Sequence, residues 1–284
     1  MGSITKIMDK TAALNFRNNY PQAKVCKTPP YALYQIKTTD LTITAYESGK
    51  VVIQGAGIED KPLVAKPKVK QVYPQAGSDE VGTGDFFGPV VVCATCISST
   101  HLDLMKALKI QDSKQLNDSQ ITQIAQTLIK EIPYVLLILD NQKYNEVHPT
   151  NNMNAIKAKL HNSALRQLLV KLPFKPEQII IDQFTPEKTY YRYLSEEENV
   201  IKGITFQTKA ENAYYAVACA SIIARYAFVE SMNRLSKAYK CEFPKGAGVN
   251  VDTFGKNFIA RYGVETLNQV SKTHFSNYQR IIKK

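Results

Sequence analysis

From Gly77 onward the chain alternates short runs rich in Val and Ile with longer stretches of helical pattern, and this alternation limits the possible folds more than any other feature. Residues 90–97, 134–139 and 178–181 are apolar and β-branched, as strands covered on both faces are. Helical pattern fills residues 119–130, 154–172 and 212–240. The last is apolar nearly all round over 212–227, which predicts a buried helix. Strands alternating with helices predict an α/β domain with a central sheet between helical layers.

The first 70 residues are of another kind. They hold eleven Lys and Arg against five Asp and Glu, more than half of the net charge of +11 carried by all 284 residues. Residues 4–16 are expected to form a short helix, and residues 31–37, 41–46 and 51–54 three strands. A small antiparallel sheet carrying one helix would bury one face and leave the other open. Residues 61–75 hold three prolines and four lysines without helical period, which suits a linker. The expected organisation is a basic N-terminal domain over 1–62, a linker over 63–75 and a larger domain over 76–284.

An excess of positive charge favours a polyanionic partner through phosphate contacts and counterion release, although a merely basic enzyme has the same composition. Five scattered cysteines, an odd number, point to reduced thiols. Cys93 and Cys96 form a C-x-x-C within an apolar strand, where their side chains face opposite layers, so packing explains them better than zinc. No apolar run approaches a membrane span, and the N-terminal residues lack a signal-peptide core. A cytoplasmic location is expected.

Three acidic positions stand where buried chain meets a turn. Asp79 and Glu80 adjoin a loop containing Gly82, Thr83, Gly84 and Gly88. Adjacent carboxylates on an extended strand face opposite sides unless the strand ends there. Asp182 ends the run EQIIID, where α/β proteins place ligands, although a turn or helix cap would also use it. Glu211 opens the long apolar helix, where the macrodipole alone would favour an acid. Taken singly, each has an ordinary explanation.

Taken in order, the segments D79-E-V-G-T-G-D-F-F-G-P, D112-S-K-Q-L, I-I-I-D182-Q-F, K-A-E211 and A-C-A-S-I-I-A-R225 resemble the type 2 ribonucleases H. Gly82-Thr83-Gly84, Glu211 and the basic N-terminal module resemble the ribonuclease HIII branch of that family. The resemblance implies a ribonuclease H-like catalytic domain with a mixed sheet, preceded by a small α+β domain similar to the TATA-box-binding protein. Residues 49–55 are similar to the last strand of that small domain. The stretch after them is short and proline-broken where the family continues as a helix.

The resemblance further implies an endonuclease that cuts the RNA strand of RNA–DNA hybrids and leaves 5′-phosphate and 3′-hydroxyl ends. Its catalytic and metal-binding acids would be Asp79, Glu80, Asp182 and Glu211, with Asp79 and Asp182 the principal ligands. The cofactor would be Mg²⁺ or Mn²⁺, two ions during catalysis, since hard cations take oxygen ligands. Gly82, Thr83 and Gly84 would sense the 2′-hydroxyl, and Lys114 would reach a phosphate. The expected partner is the hybrid duplex alone, bound by a monomer without membrane or small organic cofactor. Cleavage at single embedded ribonucleotides, as by ribonuclease HII, and non-catalytic nucleic-acid binding are the rival readings.

Overall fold

The structure, a computed structural model, describes residues 2–55, 71–110 and 116–283. The chain divides into two compact units, Met1–Val69 and Lys70–Lys284. The expected linker falls largely on residues outside those described, as do the proline-broken stretch after residue 55, Lys114 and most of the D112-S-K-Q-L segment.

The first unit is an antiparallel sheet with a short helix. Strand β1 (Gly2–Ile7) leads to helix α1 (Lys10–Asn15) and a 3-10 turn at Phe16–Asn19. Strands β2 (Lys24–Val25), β3 (Ala32–Lys37), β4 (Leu41–Tyr46) and β5 (Lys50–Gly55) follow, in the spatial order β1-β5-β4-β3-β2. The helix expected over residues 4–16 is thus half strand. Ile4 pairs with Ile53, and the helix begins only after Asp9, whose Oδ1 accepts from the Ala12 N–H at 2.8 Å. A side-chain cap fixes a helix start more firmly than an apolar count does. Ala13, Tyr34, Ile36, Ile43, Ala45, Val51 and Ile53 form the core of this unit. The Tyr34 hydroxyl donates to the Ala13 carbonyl at 3.0 Å, tying helix to sheet.

The second unit is the expected mixed α/β domain. Strands β6 (Gln75–Val81) and β7 (Val90–Ile97) are followed by α2 (Leu102–Ala107), α3 (Asp118–Glu131), β8 (Tyr134–Leu139), α4 (Asn141–Val147) and α5 (Met153–Lys171). Then come β9 (Gln178–Asp182), α6 (Glu187–Tyr193), β10 (Ile204–Gln207), a 3-10 turn at Ala210–Asn212, α7 (Tyr215–Tyr239), α8 (Val249–Val270) and α9 (Ser276–Ile282). The sheet order is β10-β9-β6-β7-β8, with β6, β9 and β10 parallel and β7 antiparallel to both its neighbours.

Every residue of β7 is buried. Val91 and Cys93 enter the layer built with α3, α7 and α8, while Val92, Ala94 and Cys96 enter the layer built with α5 and α6. The two cysteines therefore pack in opposite layers, and all five cysteines are free. Helix α7 runs across the middle of one layer with twelve buried residues. It comes so close to β6 that a Cβ on Gly77 would stand 2.7 Å from the Val217 amide nitrogen, so only glycine fits there. Among the described residues, no helix is long and apolar enough to cross a membrane.

Candidate active site

The parallel strands β6 and β9 end side by side. Ser78 is paired with Ile181, the last rung of that ladder, so Asp79 and Asp182 follow across from each other at the carboxyl ends of the two strands. Asp79 lies on the same face of β6 as Gly77, toward α7. Ser221, one helical turn beyond Val217, hydrogen-bonds its carboxyl group. The Glu80 N–H donates to Asp79 Oδ1 at 2.8 Å. Burial pushes the Asp79 carboxyl well above the usual carboxylate range, and the negative charges of Glu80 and Asp182 push it the same way.

Asp182 is tied in turn to the segment carrying Glu211. Its Oδ1 accepts from the Ala210 N–H at 2.8 Å, and Glu211 is the next residue of that 3-10 turn. The turn is reached through Lys209, which adopts a left-handed backbone. The long helix thus starts three residues later than the sequence pattern indicates.

Glu80 points the other way, as strand alternation requires. On the α5 side Lys157 Nζ donates to its Oε1 at 2.8 Å, and His161 Nε2 lies 2.8 Å from its Oε2. His161 Nδ1 is 2.7 Å from Ser78 Oγ. With its proton on Nε2, His161 donates to the carboxylate and accepts from the serine, which satisfies every member. Phe184 closes the group from outside. Its ring stacks on His161 at 5.3 Å and lies under the Lys157 ammonium at 4.0 Å. Burial alone would raise the Glu80 carboxyl, but His161 and Lys157 outweigh it and hold the group at about 2.

The glycine loop between β6 and β7 combines rigid ends with an open centre. Gly82 and Gly88 both have positive φ, and a Cβ on Gly82 would collide with the Pro89 carbonyl. Gly84, by contrast, faces open space, with nothing within 4 Å of a Cβ placed there. Asp85 serves as a loop anchor, its Oδ1 accepting from the Gly246 N–H at 2.6 Å.

The other acids stand apart from this arrangement. Glu187 is exposed in the first turn of α6. Glu230 lies about four turns along α7, beside Asn233. Arg225 of the A-C-A-S-I-I-A-R segment is held by Asp118, whose other oxygen takes Lys245.

His161, Lys157, Ser221 and Phe184 were not singled out as site residues from the sequence. Lys157 and His161 did carry a signal. They are four residues apart on one helix, a spacing that puts both on one face.

Among the described residues, no three His, Cys, Asp or Glu side chains gather as a ready metal cage. The donor set at Asp79 and Asp182 nevertheless fits a hard divalent cation. It offers carboxylate oxygens only, and the two carboxylates repel one another in a buried setting that a cation would relieve.

Residues 76–278 match the family described as Ribonuclease HII, and residues 4–62 match a domain of unknown function (DUF3378). The curated Ribonuclease HIII of Listeria monocytogenes is 40% identical over 304 residues, covering 100% of this chain and 99% of its own. The chain belongs to the ribonuclease HIII family. Ribonuclease HIII of Bacillus cereus, also 40% identical, covers 99% of this chain. Among solved structures, Bst-RNase HIII in complex with Mn2+ superposes with a TM-score of 0.73 at 37% identity, covering 99% of this chain and 98% of that one. The ribonuclease H2 of Pyrococcus horikoshii, at 24% identity and a TM-score of 0.62, shares the fold over 73% of this chain. As a ribonuclease HIII the chain is an endoribonuclease of the ribonuclease H type, and dependence on a divalent metal comes with the family.

Proposed function

We propose that the chain hydrolyses the RNA strand of RNA–DNA hybrids and leaves 5′-phosphate and 3′-hydroxyl ends. The observation that carries this reading is the opposition of Asp79 and Asp182 at the ends of two adjacent parallel strands. α/β folds bind ligands at that edge of the sheet. Asp79 and Asp182 would be the principal ligands of Mg²⁺ or Mn²⁺, with Glu211 completing the oxygen shell beside Asp182. Bound there, divalent cations would activate a water nucleophile and stabilise the leaving oxygen.

The protein's own groups would do the rest. The Ala210 N–H and Ser221 hydroxyl orient the two aspartates, so their carboxylates need not reorganise when substrate arrives. Glu80, held by Lys157 and His161, keeps a negative charge directly behind Asp79. Gly82, Thr83 and Gly84 would pass along the ribose, where the space at Gly84 admits a 2′-hydroxyl. Lys114 would meet a phosphate near the cut. The basic unit over residues 1–62 would hold the duplex by its backbone, with 63–75 as the connection to the catalytic domain. One chain carries all of these groups, so neither a second subunit nor an organic cofactor enters the scheme.

Incubation with a uniform RNA–DNA hybrid and with a DNA duplex bearing one ribonucleotide, each with and without Mg²⁺, tests the proposal. Metal-dependent cutting of the uniform hybrid is expected. Preferential cutting at the single ribonucleotide would favour a ribonuclease HII-like specificity, and binding without cutting would point to a non-catalytic role.

A further inference from the structure

The glycine loop is fastened by a residue far along the chain. Lys272 is fully buried, and its Nζ donates to the carbonyl oxygens of Asp85 at 2.8 Å and Gly88 at 2.5 Å. The Lys272 N–H donates to the Phe86 carbonyl at 2.9 Å, and the Gly88 N–H to the Val270 carbonyl at 3.2 Å. Asn141 Nδ2 gives Gly88 a second donor at 2.9 Å. The far limb of the loop, 85–88, is thus sewn to residues 270–272, while the near limb, 82–84, opens on empty space at Gly84.

Burying an ammonium against carbonyl oxygens is expensive, and an apolar side chain would pack a core more cheaply. What the ammonium supplies is direction. One group takes two carbonyls from the two ends of a single turn, which no aliphatic residue can do. Gly82 and Gly88 hold positive φ, a conformation that glycine adopts without steric cost. The clamp fixes the far limb against residues 270–272. The lowered proton affinity of Lys272, pulled by burial to about 7, agrees with how completely water is excluded there.

We propose that Lys272 is a positioning residue for substrate selection. By clamping Asp85 and Gly88 it would fix where Gly82, Thr83 and Gly84 meet the ribose, one intervening residue beyond Asp79 and Glu80 in the chain. The inference rests on the reading that this loop faces the ribose, and the experiment separates the two.

The full-length enzyme is compared with its K272M, K272Q and G84A variants on a uniform hybrid with Mg²⁺. Hydrogen exchange is followed by peptide over residues 82–88, β7 and α7. In K272M, exchange is expected to quicken over 82–88 and to stay parental in β7 and α7. Its kcat should fall roughly tenfold to a hundredfold with KM little changed, as for misplacement of a reacting group. K272Q, which keeps an N–H donor on a shorter arm, should recover part of the loss.

Parental exchange and parental kcat in K272M would overturn the inference, and so would a uniform rise in exchange across loop, β7 and α7. G84A adds a methyl group where the structure is open, so it tests the loop itself. A parental G84A enzyme would overturn the ribose reading and this inference with it. An impaired G84A beside a parental K272M would overturn the role of Lys272 alone. Should K272M fail to fold, N141A removes the other donor to Gly88. A parental N141A enzyme would then count against the clamp, and faster exchange over 82–88 with lowered kcat would support it.

Discussion

Lys157 places its ammonium 2.8 Å from Glu80 Oε1, both side chains about nine-tenths buried, and His161 occupies the carboxylate's other oxygen. Two adjacent acids in one strand are thereby given different surroundings. Asp79 has a serine hydroxyl and a backbone N–H beside like charges, whereas Glu80 has a cation and an imidazole. The first carboxyl is driven up by burial and its acidic neighbours, and the second is held down by its partners. Such divergence marks sites where titratable groups have separate tasks.

Removing one partner from the Glu80 pair should destabilise the protein sharply. K157M leaves a buried carboxylate with one partner fewer, and a loss of about 3–5 kcal/mol is expected. Urea unfolding of parent and variant reads it. A change within about 0.5 kcal/mol, the scatter of ordinary surface substitutions, would show that the pair contributes nothing.

Much of this arrangement was legible in the sequence. Val90–Ile97 and Tyr134–Leu139 emerge as strands over the residues their Val and Ile content indicates, and Asp182 ends its strand as the run EQIIID implies. The central strand β6 was not legible, because QAGSDEV has few β-branched residues. It is a strand because glycine and serine let α7 and α5 press on its two faces, which is a property of its neighbours. The ordered motifs singled out Asp79, Glu80, Asp182 and Glu211. They could not show that Glu80 turns away from Asp79 toward Lys157, since that contact joins residues 77 positions apart.

Single Gln variants of Glu211, Glu187 and Glu230 test the assignment of Glu211 to the place beside Asp182. E211Q is expected to lose most activity, because Glu211 adjoins the Ala210 N–H that holds Asp182. E187Q and E230Q should stay near parental, one exposed on α6 and the other about four turns along α7. A severe loss in E230Q beside a healthy E211Q would reverse the assignment.

Lys272 should leave a mark on stability against pH. Its folded value of about 7 lies below that of a free lysine. Between the two values the unfolded chain binds a proton that the folded chain does not, so stability rises with pH across that window and is flat below it. The contribution is about 1.4 kcal/mol per pH unit, as an upper slope. The difference in stability between parent and K272M, measured over roughly pH 6 to 10, should show this slope above neutrality. A flat difference would mean that Lys272 keeps an ordinary proton affinity.

Substrate holding by the N-terminal unit predicts a salt signature. Lys37 and Lys50 are exposed, and strand alternation and register put them on the face of the sheet opposite its buried core. Each phosphate that the K37Q or K50Q enzyme no longer neutralises should flatten the slope of log affinity against log salt by roughly 0.7–0.9. Salt titrations on one fluorescent hybrid measure it. Unchanged affinity and slope in the double variant would remove this face from the substrate path.

The most direct measurement is single-turnover cleavage of a uniform RNA–DNA hybrid by D79N and D182N at saturating Mg²⁺, with hybrid affinity measured in parallel. Asparagine keeps the shape and removes the charge that a divalent cation needs. Cleavage should fall by roughly three orders of magnitude, equivalent to about 4 kcal/mol of lost transition-state stabilisation, while affinity for the hybrid stays within about threefold of parental. Near-parental turnover in either variant would contradict the claim that the facing aspartates of β6 and β9 are the catalytic centre.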